Sequence, residues 1–213
     1  MHRRYLLKAI QSGLAGNPGD TAAYKAAALG TPAYGDLEQT LATLAHPLPE
    51  ITLTELEAQS PGSFGHSLAQ FLHNNQIQPL TLSPETRTHL QDAPILAIRY
   101  PIFHDAFHVL LGFDTSLAGE LGVWSFVAAQ HYSPAYDRAA FIGRWFTRLV
   151  TPWQWQRLNT YEHIGRTLGK QAICIITQPL EAYWSMPLQD VRQQFELPLE
   201  EWTSSIEKVD SSF

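Results

Sequence analysis

Four side chains that can bind a cation or move a proton lie inside an otherwise apolar stretch of the sequence, between Tyr100 and Phe126. They are His104, Asp105, His108 and Glu120. Imidazoles at positions i and i+4, together with carboxylates, are a standard ligand set for zinc or another first-row divalent ion. The residue types and their spacing therefore make these four residues candidate metal ligands.

The two histidines fall on one side of a predicted helix. At about 100° per residue, His104 and His108 lie about 40° apart, and Asp105 lies about 100° from His104. The other positions from Ile102 to Leu111 are apolar all round, which predicts a buried helix with a single polar arc. Because unpaired buried polar groups are costly, this arc is expected to face a metal, a partner group or a cavity.

Glu120 requires a break in the helix if it is to reach the histidines. In one continuous helix it would lie about 160° away from His104. Gly112 is a natural C-terminal stop, and residues 114–116 offer natural N-caps for a following helix. The sequence therefore predicts two buried helices hinged at 112–116, with the second folding back so that Glu120 approaches the histidines.

Spacing alone leaves other interpretations open. Any two histidines four residues apart meet on a helix, so the pair could be core histidines hydrogen-bonded to Asp105 and Glu120. The pattern also resembles the HExxH signature of zinc peptidases, but Asp105 is one methylene shorter than the glutamate that acts there as general base. A metal-dependent phosphohydrolase of the HD type would need further His and Asp ligands that the sequence does not assign.

Helix signals recur along the whole chain and predict the scaffold that carries these residues. The stretches GDTAAYKAAALG, GDLEQTLATLAHPLP and SPGSFGHSLAQFLHNNQIQP each combine helix-forming residues with caps or stops. Further helices are predicted at about 135–150, 155–170, 179–185 and 188–195. The run AICII fits a strand or a buried helix, but one strand cannot build a sheet. The predicted fold is all-α, a single-domain multi-helix bundle over residues 1–213, with a loose tail at 203–213.

Composition bounds the class of protein. The chain has 213 residues, 45% of them hydrophobic, and its single cysteine excludes an internal disulfide and fits a reducing compartment. No apolar run approaches the roughly 20 residues that span a bilayer. The net charge is −6 and no recognised nucleic-acid-binding motif is present, so no nucleic-acid partner is expected.

The charge is unevenly distributed. The window 131–170 holds six Lys or Arg residues against two acidic residues. With TPWQWQR inside it, this window could meet anionic lipid headgroups, since Trp and Arg both suit a membrane interface. The alternative is an ordinary solvated helix face.

The four polar residues match a family pattern. HDAFHVLLGFDTSLAGE, with residues 109–119 as an eleven-residue gap, resembles the HDxxH-x11-E signature of the coenzyme Q (ubiquinone) biosynthesis protein 4 family. Three further stretches resemble the same family: NPGDTAAYKAAALG, SPGSFGHSLAQFLHNNQIQP and EAYWSMPLQDVRQQFELP. The resemblance runs from about residue 8 to about residue 198, and it argues against the core-histidine and peptidase interpretations. EAYW lacks a tryptophan before its glutamate, a departure from the family pattern.

The resemblance implies a mainly helical protein of quinone biosynthesis that binds a divalent metal, with zinc expected and magnesium or iron as alternatives. His104, His108 and Glu120 would be ligands, and Asp105 would be a ligand or support one, as well as being the candidate catalytic residue. The family is associated with two roles. One is an enzyme that oxidatively decarboxylates a prenylated hydroxybenzoate at its first ring carbon. The other is a non-catalytic lipid-binding scaffold that organises a biosynthetic complex on the membrane.

The implied partners follow from those roles. They are a prenylated quinone precursor or isoprenoid lipid, a membrane surface bound peripherally and other quinone-biosynthesis enzymes, and a homodimer is compatible with them. The isoprenoid tail is expected to contact apolar residues near the site, whose alternative role is core packing: Phe103, Phe107, Leu111 and Trp124. No transit peptide fits before residue 8, so a bacterial-type protein in the cytoplasm, on the inner face of the membrane, is expected. The organellar matrix is the eukaryotic counterpart.

Overall fold

The computed structural model describes residues 3–29, 32–198 and 200–211. Within these ranges the chain forms twelve α-helices and no β-strand, so the prediction of an all-α single domain is confirmed. Three short 3-10 helices lie at Pro152–Gln154, Ile175–Thr177 and Leu180–Tyr183. The α-helices are α1 Arg3–Leu14, α2 Pro18–Leu29, α3 Leu37–Ala42, α4 Leu53–Glu57, α5 Phe64–Asn75, α6 Pro84–His89, α7 Ile95–Leu111, α8 Leu117–Ala129, α9 Pro134–Val150, α10 Trp155–Gln171, α11 Leu188–Gln194 and α12 Glu200–Asp210.

Helices α7 and α8 form the centre of the bundle because they are apolar on nearly every side. α7 packs against α2, α3 and α5, and α8 packs between α9 and α10. The contact between α8 and α10 is very close, since a Cβ atom added to Gly165 would lie 2.1 Å from the carbonyl oxygen of Gly122. Only glycine at position 165 permits the two backbones to approach in this way.

Hydrogen bonds of Arg99 connect the first half of α7 to segments that are distant in the sequence. Its side chain is fully buried. Its Nε donates to the carbonyl oxygen of Ile176 at 2.8 Å, and its two terminal nitrogens donate to the carbonyls of Pro47 and Gln178, each at 2.7 Å. A planar guanidinium offers five N–H donors spread over a rigid fork, whereas an ammonium group offers three donors on a single nitrogen. The segments before α4 and after α10 are therefore held against α7.

The C-terminal part of the chain differs from the prediction in two respects. AICII is an irregular segment that runs into a 3-10 helix, and the helix predicted at about 179–185 is a 3-10 helix at Leu180–Tyr183. The tail predicted to be loose from 203 is helical as far as Asp210. The reason is an apolar stripe that recurs at helical spacing in Trp202, Ile206 and Val209, and α12 packs on α10. Residues 212–213 lie outside the described residues. No described helix is both long enough and apolar enough to cross a bilayer.

Candidate metal centre

A glycine and a serine separate the two helices that carry the predicted site. α7 ends at Gly112, whose φ of 69° is one that glycine adopts without strain. α8 begins after Ser116, whose hydroxyl oxygen accepts a hydrogen bond from the N–H of Gly119 at 3.2 Å. A Cβ atom at position 119 would lie 2.0 Å from the carbonyl oxygen of Asp114, so glycine is needed there for the turn to close. The predicted hinge at 112–116 is confirmed.

The hinge places the carboxylate of Glu120 against both histidines. His104 Nε2 lies 3.5 Å from Glu120 Oε2, and His108 Nε2 lies 3.3 Å from Glu120 Oε1. Each of the three residues offers a ligand atom, and these atoms all lie within 4.8 Å of one another. The structure thus brings together three of the four residues that the spacing singled out.

The other nitrogen of each histidine ring has its own acceptor. His104 Nδ1 lies 3.5 Å from Asp105 Oδ1, and His108 Nδ1 lies 3.3 Å from the carbonyl oxygen of Phe113. A metal-ligating histidine usually gives its second ring N–H to a carboxylate or a backbone carbonyl, which fixes the tautomer and the ring orientation. With Nδ1 occupied in this way, both rings present Nε2 to Glu120.

Burial and neighbouring side chains shift the pKa values of His104 and Glu120 in opposite directions. His108 is 1% exposed, while His104 and Glu120 are about a quarter exposed. Burial alone would lower the pKa of His104, but hydrogen bonds with Asp105 and Glu120 outweigh burial and raise that pKa to about 9. Burial alone would raise the pKa of Glu120, whereas the imidazoles of His104 and His108 close to its carboxylate lower that pKa to about 2. The two neighbouring carboxylates therefore favour a positive charge at His104.

The residues present fit a divalent cation. His108 Nε2 is buried and finds no hydrogen-bond partner among the described residues, although burying an unpaired polar atom is costly. A tetrahedral ion with ligand bonds of about 2.0–2.1 Å holds its ligand atoms about 3.3–3.4 Å apart. The separations between Glu120 and the histidines are close to that value. Two imidazoles and a carboxylate suit zinc or iron better than magnesium, which prefers oxygen ligands.

Asp105 lies beside the site rather than within the group of three. Its Oδ1 faces the Nδ1 of His104, so it is placed to orient that imidazole. Asp105 and His104 both line a cleft of about 810 Å³, a volume within the usual range of small-molecule sites. Apolar residues form much of the cleft wall: Pro18, Ala22, Ile77, Pro79, Leu80, Leu82 and Pro101. A small molecule can therefore reach the site from the side of His104 and Asp105.

The four residues predicted to contact a lipid tail lie away from this cleft. Phe103, Phe107 and Leu111 are fully enclosed in the core. Trp124 is partly buried and packs against Gly143 of α9, where a Cβ atom would lie 2.3 Å from the indole ring. These residues pack behind the site, and other side chains line the cleft. Their contact with a lipid stays a prediction.

Three residues around the site were missed from the sequence. The ring of Tyr100 meets His104 edge-on at 5.8 Å between centroids, and Phe71 stacks on His108 at 5.5 Å. Arg192 donates to the carbonyl oxygens of Leu110 at 3.0 Å and Val109 at 2.8 Å, at the end of α7. Phe71 could have been found, because it falls on the apolar face of its predicted helix. Nothing local marks Arg192, which lies more than eighty residues from its acceptors.

Known proteins resemble this chain in sequence over most of its length. The family described as coenzyme Q (ubiquinone) biosynthesis protein Coq4 matches residues 48–200. The mitochondrial ubiquinone biosynthesis protein COQ4 homolog of Bos taurus is 31% identical over 149 residues, and that of Homo sapiens is 26% identical over 153 residues. These alignments cover 69% and 68% of this chain but 55% and 54% of the relatives. The chain thus spans about half the length of the curated relatives it matches.

A solved structure shares the fold. The crystal structure of a protein from Nostoc punctiforme, described as a candidate ubiquinone biosynthesis protein, matches with a TM-score of 0.60. The match covers 91% of this chain and 95% of that one, at 19% sequence identity. At this identity the likeness concerns the fold alone.

Proposed function

The chain belongs to the family of coenzyme Q (ubiquinone) biosynthesis protein Coq4, and from that premise we propose that it acts in ubiquinone biosynthesis on a prenylated quinone precursor. The site of action is the cluster of His104, His108 and Glu120. The observation that carries the proposal is the buried Nε2 of His108, which faces a carboxylate and has no hydrogen-bond partner among the described residues. A cation would satisfy this atom, and the adjoining cleft would admit the ring of the precursor.

His104, His108 and Glu120 would hold the cation, which is expected to be zinc, with iron or magnesium as alternatives. When bound, it supplies positive charge for the carboxylate and phenolate oxygens of the precursor, and a redox-active ion can also use dioxygen. Asp105 orients His104 through Nδ1. Because it also lines the cleft, Asp105 is the proposed catalytic residue that gives or takes a proton at the ring.

The proposed reaction is oxidative decarboxylation at the first ring carbon of a prenylated hydroxybenzoate. The bond between that carbon and the carboxyl group breaks, carbon dioxide leaves, and a hydroxyl group takes its place. This replacement is a two-electron oxidation of the ring, and it balances when water supplies the hydroxyl group and dioxygen takes up the two electrons and two protons to leave as hydrogen peroxide. The apolar wall beside His104 suits the aromatic ring, while the position of the isoprenoid tail stays a prediction.

The second candidate function is a non-catalytic lipid-binding scaffold that holds other quinone-biosynthesis enzymes at the membrane. The observation that favours it is a row of exposed apolar residues on α9, none of which lines the cleft. In this case the cation would orient a lipid head group or stabilise the hinge between α7 and α8. Either function is compatible with a homodimer and with a peripheral position on the inner face of a bacterial membrane, or on the matrix side in an organelle.

Release of the carboxyl carbon separates the two functions. The purified chain, loaded with zinc or iron(II) and given a prenylated hydroxybenzoate in air, should release labelled carbon dioxide. The Asp105→Asn variant should release much less even at metal concentrations that saturate its weakened site. If no carbon dioxide appears with any of the metals while a prenylated lipid still binds, the enzymatic proposal fails and the scaffold is favoured.

A further inference from the structure

Helix α9 turns a polar side inwards and an apolar side outwards. Its buried residues are Gly143, Thr147 and Arg148. Its outer side carries large apolar residues that are 38–81% exposed: Phe141, Ile142, Trp145, Phe146, Leu149 and Val150. An amphipathic helix of a globular protein normally points its apolar side at the core, so the packing of this chain does not account for these residues.

The apolar surface continues beyond the end of α9. Trp153 is 69% exposed and Trp155 is 53% exposed. With the six outward residues of α9 they form a surface called here the α9 face. Contiguous apolar surface of this kind marks an interaction site, and three tryptophans within eleven residues are typical of the boundary between membrane and water.

The surroundings of the α9 face are basic. The buried carboxylate of Glu162 is already engaged by Arg148 and by Arg166 at 2.9 Å, and Arg144 approaches it at 3.3 Å. Two of these three positive charges are therefore left without a compensating charge on Glu162. Arg138 is exposed and lies three residues before Phe141, hence on the same side of α9. Anionic lipid headgroups would offset this positive charge.

We propose that the α9 face is the membrane-docking surface of the protein, with α9 lying in the plane of an anionic bilayer. The helix presents aromatic and aliphatic side chains with basic residues nearby, which is the pattern of helices that lie at an interface. It cannot span the bilayer, because no described helix is long and apolar enough. A second copy of this chain would gain from the apolar residues but would bring its own positive charges against these.

The geometry links this surface to the candidate metal centre. α9 packs on α8, which carries Glu120, and packed helix axes lie about 8–10 Å apart. In the first turn of α9, the ring of Tyr136 lies 4.8 Å from that of Tyr100, which in turn contacts His104. Docking through α9 would hold the site one helix layer from the lipid. The inference deepens the proposed function by naming a partner surface, but it does not depend on the chemistry at the metal.

Vesicle binding of single variants tests the assignment. The full chain is sedimented with vesicles of equimolar phosphatidylcholine and phosphatidylglycerol, and with vesicles of phosphatidylcholine alone. Wild-type protein should bind the anionic vesicles more tightly, with a blue shift of tryptophan fluorescence and weaker binding in high salt. Leu149→Glu should weaken binding by about tenfold or more, because an exposed leucine is exchanged for a charge that anionic lipid repels.

Leu14→Glu is the matched control. Leu14 is 87% exposed and Leu149 is 81% exposed, so both substitutions place a glutamate on an open helix surface. The control should bind like the wild type, and both variants should keep their metal content.

Equal losses in the two variants, or no loss in Leu149→Glu, would overturn the assignment. So would a change of oligomeric state in Leu149→Glu with unchanged vesicle binding, since the face would then join two copies. His108→Ala should bind vesicles normally, so that failure of the metal site is distinguished from failure of docking.

Discussion

The candidate metal centre and the α9 face depart from ordinary packing in opposite directions. Around His104 and His108 the chain buries polar groups inside an apolar helix pair, and along α9 it exposes apolar groups on the outside of the bundle. Stability alone favours neither arrangement, because the first leaves a buried nitrogen unsatisfied and the second leaves large side chains in water. Departures of this kind are where functional sites are expected. The contrast fits the two proposals, in which the first region holds a cation and the second meets an apolar surface.

Replacement of His108 should have the largest effect of all the substitutions. It should reduce metal binding at the candidate metal centre and leave the α9 face unchanged. His108→Ala removes one of the three candidate ligand atoms and leaves a cavity beside Glu120. Metal occupancy should therefore fall by more than about tenfold. Elemental analysis after dialysis measures this, and far-ultraviolet circular dichroism should show the helices retained. His73→Ala is the matched control, because His73 also pairs with a glutamate but on the exposed surface. Full metal occupancy in His108→Ala would refute the site.

Asp105→Asn should weaken metal binding without abolishing it. The substitution keeps the shape of the side chain but removes the charge facing His104 Nδ1, and loss of such a supporting group costs about 10–100-fold in metal affinity. Competition with a zinc-chelating dye measures the affinity. An effect as large as that of His108→Ala would mean that Asp105 is itself a ligand, and an unchanged affinity would mean that it does not orient His104.

Gly119→Ala should disturb the hinge that brings the two histidines and Glu120 together. Its Cβ would lie 2.0 Å from the carbonyl oxygen of Asp114, so α8 must shift, at a cost of about 1–3 kcal/mol in the free energy of unfolding. Urea denaturation measures this cost, and metal affinity should fall with it. Gly13→Ala is the control, because its nearest neighbour is 3.6 Å away. An unchanged stability in Gly119→Ala would show that the turn can relax.

Leu149→Glu should have the smallest effect on stability, although it disrupts the second region. The residue is exposed and lies outside the core, so the free energy of unfolding should change by about 0.5 kcal/mol or less. Urea denaturation of the unbound protein checks this value. A large loss of stability would mean that the α9 face supports the fold, and the contrast between the two regions would disappear.

Local rules in the sequence were enough to predict the core of the site. Helical spacing put His104 and His108 on one arc, and glycine and cap chemistry predicted the turn at 112–116. The path of the chain after the turn needed tertiary structure, because only packing of α8 against α10 and α9 decides where Glu120 points. The sequence also did not show which nitrogen of His104 each carboxylate faces, Nδ1 for Asp105 and Nε2 for Glu120.

The α9 face shows a different limit of prediction. A helix at about 135–150 was predicted and is found at Pro134–Val150, but periodicity reports only that a helix has two unlike sides. It does not say which of the two sides packs against the core. In α9 the side with Gly143 packs against the core, because the ring of Trp124 occupies the space next to Gly143. The basic window at 131–170 and the tryptophans within it were visible from the sequence, but the exposure of those tryptophans was not.

The bonds of Arg99 also bear on the order in which the chain assembles. They join residues 52 and 77 positions apart, so they can form only after two long loops have closed, which is slow and entropically costly. Until then the guanidinium must stay hydrated, and burial in the finished fold lowers its pKa to about 10. We therefore expect α7 to become fully buried late in folding, after the segments that contain Pro47 and Ile176 have packed against it. A chain cut short before Ile176 would lose two carbonyl acceptors of the buried guanidinium and should not complete the burial of α7.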